Sequence, residues 1–318
     1  MTDIPTEMPK AEGAVTSLAN LSPEAAGRAV AMGVEGVRDL VECVASYAPL
    51  FHTPVCDEAM LTTTALAPAI MSPWLPYEKL RTTSRTTLWA LRVDWEIDYA
   101  ADSYESVMAV VRRCMAAVEE GHCAPNDRLA GFLVDLRARL AASSAFPQLG
   151  SAWSQALRRG LGAMAREWKW RTAQSASKRD ARLPTLEQYL DNADSALVVF
   201  LALSHWISTD EPGLIQNIDL LMAAAYEVQR AARLVNDFAT YDRDRAWKDL
   251  NALLLPGVTQ DDVARRLGHL HAHCAELLQP LIDTGIRQAV YLNRFLKFMT
   301  HFHTVTDAYA ITTTEPER

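Results

Sequence analysis

Three observations predict an all-α fold. Alanine and leucine dominate and recur at helical spacing, valine- and isoleucine-rich alternating runs are scarce, and glycine is modest at 13 of 318 residues. A hydrophobic content of 49% against 22% charged residues suits a globular chain with a sizeable core. No internal repeat or low-complexity linker interrupts it, so one domain is expected over residues 22–312. A flexible tail (1–21) precedes it and a short one (313–318) follows. The net charge of −8 argues against nucleic acid as the main partner, because phosphate backbones call for basic faces. No apolar run approaches the ~20 residues of a membrane span. The five cysteines are odd in number and lack C-x-x-C spacing, and the chain opens without a signal peptide. A reducing cytoplasm is therefore expected, with the thiols as small apolar fillers.

The elements follow in order. Ser22-Pro23 is a helix start, and an apolar line through Val30, Val34, Val37, Leu40 and Val41 carries that helix to about Ala45. Prolines 54, 68, 73 and 76 break up the next stretch, leaving room for a short helix. A long helix from about Tyr77 carries Trp89 and runs past Asp94. Gly121 and Pro125 end the following helix, and Asn126 or Asp127 caps the one reaching Ala142. Trp153, Leu157, Leu161, Met164 and Trp168 form a buried stripe on another. Thr185 and Gln188 make a capping box, Pro212-Gly213 separates that helix from a long one over 214–247, and Thr259 caps the next. The last apolar run goes from about Leu281 to Phe302. Connections this short fit a bundle.

Two rows of oxygen ligands stand out. Within the long 214–247 helix, Asn236, Thr240 and Asp244 fall at i, i+4 and i+8 and share a face. Asn, Thr and Asp are mediocre helix formers that nothing structural requires at that spacing. A row of hard oxygens suits Mg²⁺. Upstream, Asp94, Asp98 and Asp102 repeat the spacing. Like charges there repel by a few tenths of a kcal/mol per pair, a cost that shared cations would offset. Two such rows facing across a bundle would make a carboxylate-lined mouth able to hold Mg²⁺ around a diphosphate. An acidic chain can take such a substrate when metal ions supply the positive charge.

The 236–244 stretch resembles the N-D-x-x-S/T-x-x-x-E metal motif of class I terpene synthases, with Asp244 in the last place. The 94–98 stretch is similar to their aspartate-rich motif but departs from D-D-x-x-D, because Trp95 takes the second position and leaves a D-x-x-x-D form. That variant resembles some bacterial diterpene synthases of the ent-kaurene/ent-kauranol type. The motifs lie 142 residues apart (236 minus 94), and the resemblance covers roughly residues 60 to 312. It implies a single-domain α-bundle around a central apolar pocket and about three Mg²⁺ ions per site. The implied substrate is a prenyl diphosphate.

The resemblance also suggests roles. Arg233 matches a position where the family contacts diphosphate, Arg243 is a weaker candidate for that work, and the aromatic Tyr241 is a further catalytic candidate. Pro184 to Leu190 resembles the segment before the family's broken pocket helix, where carbonyls near Asp194-Ser195-Ala196 could steer a cation. The arginine that many bacterial members carry after this segment is absent, so Arg85 or Arg92 could substitute. The 301–309 stretch resembles a plant-type closing segment with Asp307 and Tyr309. Trp89, Trp95, Trp206 and Phe238 are candidate pocket walls, since π faces stabilise carbocations without quenching them. The pairs His271/His273 and His301/His303 share no helical face and read as surface or capping residues. With no D-x-D-D motif for protonation-initiated cyclisation, a bicyclic copalyl-type diphosphate made by a separate class II cyclase is the favoured substrate. A sesquiterpene or geranylgeranyl-diphosphate cyclase fed by a prenyltransferase is the alternative. From another class, the chain could be an inactive prenyl-diphosphate-binding protein. A homodimer is also compatible.

Overall fold

The computed structural model describes residues 22–51, 56–175 and 183–306, and every described element is helical. In chain order the α-helices are α1 (Pro23–Ser46), α2 (Glu58–Met71), α3 (Tyr77–Trp95), α4 (Tyr104–Glu120), α5 (Arg128–Ala141) and α6 (Phe146–Ser175). After them come α7 (Leu186–Leu190), α8 (Val198–Thr209), α9 (Ile218–Trp247), α10 (Gln260–Asp283) and α11 (Arg287–Phe302). The expected tails 1–21 and 313–318, and with them Asp307 and Tyr309, lie outside the described residues.

Local chemistry sets most boundaries. Ser22, Asp57, Ser103, Asp127, Thr185 and Thr259 each accept a backbone N–H at a helix start, leaving fewer orphan donors. Thr185 and Thr259 form reciprocal capping boxes with Gln188 and Asp262. Gly121, at φ 74°, ends α4 in the left-handed conformation open to glycine. Pro68 and Pro280 sit inside α2 and α10 without ending them. The expected single run from Leu281 to Phe302 is instead broken after Asp283, at a turn containing Gly285.

The first helix turns a different face inward than its valines suggest. Val30, Val34 and Val41 are exposed, while Ala29, Met32, Gly33, Gly36, Leu40 and Cys43 are buried. Close approach to α2 decides this. A Cβ on Gly33 would stand 2.3 Å from a Leu66 methyl, and one on Gly36 would stand 2.9 Å from Ala65 Cβ.

At the centre α8, apolar almost all round, packs against α3, α5, α6 and α9, and α11 closes the bundle over α2, α9 and α10. Trp89, Trp153, Trp206 and Phe200 fill this core. No helix among the described residues is long and apolar enough to cross a membrane.

Candidate active site

One cavity of about 330 Å³ opens between α2, α3, α6, α8, α9 and α11. Both oxygen rows reach it: Asp94 and Asp98 from one wall, Asn236 and Asp244 from another.

The aspartate-rich row is shaped by a change of helix type. After Trp95 the chain takes a π turn over Glu96–Ala100, closed by Ala101 N–H donating to the Glu96 carbonyl at 3.0 Å. Asp98 stays on the cavity wall. Asp102 leaves the row and is exposed, its carboxylate accepting from Ser106 Oγ at 2.6 Å. Trp95 packs outside the cavity on Tyr99, with ring centroids 4.7 Å apart, and Tyr99 meets Trp247 edge-on at 5.3 Å. The indole standing in the second motif position thus braces the mouth from behind.

On α9, Asp244 accepts from Thr240 Oγ1 at 2.5 Å and Asn251 Nδ2 at 2.9 Å, and pairs with Arg243 at 3.1 Å. Thr240 is buried, its hydroxyl oxygen also lying 3.0 Å from the Asn236 carbonyl, and it is not in the cavity lining. Asp237 points inward, accepting from Tyr189 Oη at 2.8 Å and from the Ala252 amide at 3.2 Å.

Arg233 is held by three bonds: Nε to Tyr189 Oη at 2.6 Å, Nη1 to Ser195 Oγ at 2.9 Å and Nη2 to Glu167 at 3.1 Å. A guanidinium so fixed is pre-organised to present its remaining N–H groups to an anion. Arg171 supplies a further cation. It donates to the Asp98 carbonyl at 2.6 Å and pairs with Asp249 at 3.0 Å and the Asp98 carboxylate at 3.4 Å.

The pocket helix breaks at a 3-10 turn, Ala193–Ala196, followed by Leu197 at φ 55°. A branched side chain in that region is strained. Two neighbours hold it. A Cβ on Gly160 would lie 2.2 Å from Leu197, so glycine lets α6 come close, and Gln229 bonds both the Val199 amide and Asp194 at 3.0 Å.

Crowding of acids gives the mouth its electrostatics. Burial, reinforced by Glu167 and Asp249, pushes Asp94 up to about 6 against the pull of Arg233 and Arg243. Burial and the neighbouring Asp94 push Asp98 well above the usual carboxylate range. Burial also raises Asp244. This excess of desolvated, hard-oxygen negative charge fits a divalent ion. Among the described residues no three His, Cys, Asp or Glu side chains converge closely enough to hold a metal by themselves. The donors instead include Asn236 and are divided between two walls, which suits ions whose shell is completed by substrate oxygens.

Several expected residues lie elsewhere. Trp89, Trp206, Phe238, Trp95 and Tyr241 do not line the cavity. Trp89 donates to the Leu129 carbonyl at 3.0 Å and packs on Phe200, as core. Arg85 pairs bidentately with Asp39, and Arg92 bonds the Leu50 carbonyl and Glu96, so neither reaches the cavity. The aromatic lining comes instead from Tyr99 and from α11: Tyr291, Phe295, Phe298 and Phe302. The i, i+3, i+7 spacing of the three phenylalanines was a readable signal. His303 caps the C-terminus of α11, its backbone N–H donating to the Met299 carbonyl at 3.0 Å, and it lines the cavity and is buried rather than lying at the surface. Glu167, Arg171 and Asp249 also escaped the sequence reading, although Glu167 and Arg171 share a helical face at i, i+4.

Residues 88–271, more than half of the chain, match terpene synthase family 2, C-terminal metal binding. The chain belongs to that family: it is a class I terpene synthase, an enzyme acting on prenyl diphosphates. It is 25% identical over 257 residues to the ent-pimara-9(11),15-diene synthase of Streptomyces sp. (strain KO-3988), covering 80% of this chain and 86% of that one. Its fold is similar to linalool/nerolidol synthase from Streptomyces clavuligerus in complex with 2-fluorogeranyl diphosphate. That match has a TM-score of 0.64 at 16% identity and spans 89% of this chain and 100% of that one. Hedycaryol synthase in complex with nerolidol matches with a TM-score of 0.59 at 16% identity, over 85% and 94%.

Proposed function

We propose that the chain is a Mg²⁺-dependent diterpene synthase. In this reading it ionises an allylic diphosphate, copalyl-type by preference, and guides the cation to a polycyclic hydrocarbon or alcohol, kaurane-type among the candidates. The carrying observation is that both oxygen rows and three arginines reach one cavity whose remaining wall is apolar and aromatic. The relative named as a pimaradiene synthase supports the diterpene class. Asp94, Asp98, Asn236 and Asp244 would hold the metal, about three ions with substrate oxygens completing the shells. Thr240 and Asn251 fix the Asp244 carboxylate for that work. Bound metal supplies Lewis-acid activation of the diphosphate leaving group. Arg233, Arg243 and Arg171 bind phosphate oxygens, Arg171 in place of the arginine missing from 190–197. The apolar walls keep water from the cation until the end of the cascade.

Five free thiols agree with a cytoplasmic location. A copalyl-type substrate would couple the enzyme to a separate class II cyclase, and a linear one to a prenyltransferase. A homodimeric working form would give twice the chain mass in solution, which light scattering measures directly. The test is incubation with farnesyl, geranylgeranyl and copalyl diphosphates, with Mg²⁺ or with excess EDTA, followed by product analysis. Cyclic diterpenes formed only with metal are expected. Conversion of farnesyl diphosphate alone would make it a sesquiterpene cyclase. Binding without diphosphate release would make it an inactive binding protein, and undiminished turnover in EDTA would remove the metal rows from the mechanism.

A further inference from the structure

The end of the cavity remote from the carboxylates holds a polar group that the ionisation chemistry does not use. From Asp98 on the π turn the lining runs back along α3 through Asp94, Leu91 and Ala90 to Thr87. Eleven residues of helix put Thr87 about 16 Å from Asp98. One turn beyond Thr87 is Thr83, and one turn beyond Leu201 on α8 is His205. Their side chains meet there, Thr83 Oγ1 lying 2.9 Å from His205 Nδ1. The other ring nitrogen, Nε2, lies 3.2 Å from Ser72 Oγ. All three residues are buried, and burial alone pushes His205 down to about 3, so the imidazole is neutral. Over its face lies Tyr291, with centroids 3.9 Å apart and planes 16° from parallel.

Tyr291 lines the cavity, and its hydroxyl has no partner among the described residues. The residue is buried, with 3% of its surface exposed, at the cavity wall. If Tyr291 only filled space, phenylalanine would serve, as at 295, 298 and 302 on the same helix, and would avoid an unsatisfied hydroxyl. His205 covers one ring face and both its nitrogens are anchored, so the phenol ring is clamped where Tyr291 lines the cavity.

We propose that Tyr291 is a specificity-determining residue of the cyclisation: its ring and hydroxyl meet the end of the hydrocarbon farthest from the diphosphate and fix where positive charge rests there. His205, held by Ser72 and Thr83, is the positioning residue behind it. A neutral ring in that place adds π density without opposing a cation, which an imidazolium would do. This inference rests on the cyclase reading.

The test compares wild type with Tyr291→Phe, Tyr291→Leu and His205→Gln, measuring diphosphate release and product ratios together, with circular dichroism to confirm folding. Tyr291→Leu is expected to shift the ratio of fully cyclised to early-terminated products roughly tenfold, more than it changes diphosphate release. Tyr291→Phe, which keeps the ring and the stack, should shift it by a smaller factor. His205→Gln should shift it in the same direction as Tyr291→Leu, whereas a purely structural histidine would lower all products alike. If Tyr291→Leu does not fold, the other two variants decide. A wild type that releases no diphosphate overturns the cyclase reading and this inference with it. Normal wild-type turnover with unchanged ratios in the folded variants overturns this inference alone.

Discussion

Replacing Arg171 by glutamine should weaken the metal-free protein and the catalyst for the same reason, and the size of each effect follows from the site. The side chain is 13% exposed, Asp249 is 13% and Asp98 25%, so the cluster is largely withdrawn from water. At an effective dielectric near 20, each carboxylate at 3.0–3.4 Å attracts the guanidinium by roughly 5 kcal/mol before desolvation is subtracted. Removing one partner of a buried pair costs about 3–5 kcal/mol, and a cavity wall reached by water belongs at the low end, about 3 kcal/mol. For a chain of this size that is a drop in Tm of roughly 5 °C in EDTA. Saturating Mg²⁺ should recover much of it, because the two carboxylates released by Arg171 attract the ion more strongly. Turnover should nevertheless fall about 10- to 100-fold, the worth of a charge-assisted bond to phosphate of about 1.5–3 kcal/mol. Thermal melts with and without Mg²⁺, paired with steady-state diphosphate release, measure both effects. An unchanged Tm in EDTA would refute the electrostatic argument. Turnover within about twofold of wild type would refute the diphosphate contact, since a charge-assisted bond cannot be worth so little.

The other expectations are these. Asp94→Asn and Asp98→Asn should each nearly abolish diphosphate release, while Asp102→Asn, exposed beyond the π turn, should leave it close to wild type; kinetics on the three variants separate these outcomes. Trp95→Asp should not raise activity, and loss of the packed indole should cost about 3 kcal/mol in urea unfolding. The fourth concerns pH. His205, held near 3 in the native state, stays neutral while the unfolded chain takes up a proton below about 6.5. Its contribution is therefore intact above that pH and lost as pH falls through the window from about 6.5 to 3, at up to about 1.4 kcal/mol per unit. His205→Gln should flatten the stability profile there, and equal slopes in both proteins would rule the effect out.

How far the sequence was readable depends on what each feature answers to. Caps and rows are local: Ser22, Thr185 and Thr259 do what their spacing from the following residues dictates, and Asn236 and Asp244 share a face because the helix is regular. The row of Asp94, Asp98 and Asp102 breaks at Glu96, where a π turn adds a residue to the ladder and turns Asp102 outward. Choice of face was also beyond periodicity. On α1 the valines form an orderly stripe, yet Gly33 and Gly36 permit a close approach to α2, so a neighbouring side that includes Leu40 is buried and Val30, Val34 and Val41 are left exposed. Aromatics in a helical bundle divide between core and cavity by the same partner-dependent logic. Trp89 and Trp206 were drawn into the centre by α8, and the cavity took its rings from α11.

The same division between local and partner-dependent features runs through the site. The carboxylate mouth is built from spacing on two helices, so ionisation chemistry leaves a sequence signature. The wall that would guide the cation is assembled from α2, α6, α8 and α11 side chains with no fixed spacing among them. Its shape depends on Leu197 held at φ 55°, on a glycine at 160 that admits it, and on Gln229 satisfying the broken helix. Because Leu197 and Val198 both line the cavity, a shift of that break would move the wall against which the hydrocarbon folds. Gly160→Ala puts a methyl 2.2 Å from the end of the Leu197 side chain and 3.1 Å from the Asp194 carbonyl, so the Leu197 side chain must swing aside and the carbonyl give by a few tenths of an ångström, while the oxygen rows, which Gly160 does not touch, stay in place. Diphosphate release should then persist with an altered product ratio. Loss of release with an unchanged ratio would show that the break serves the mouth rather than the wall.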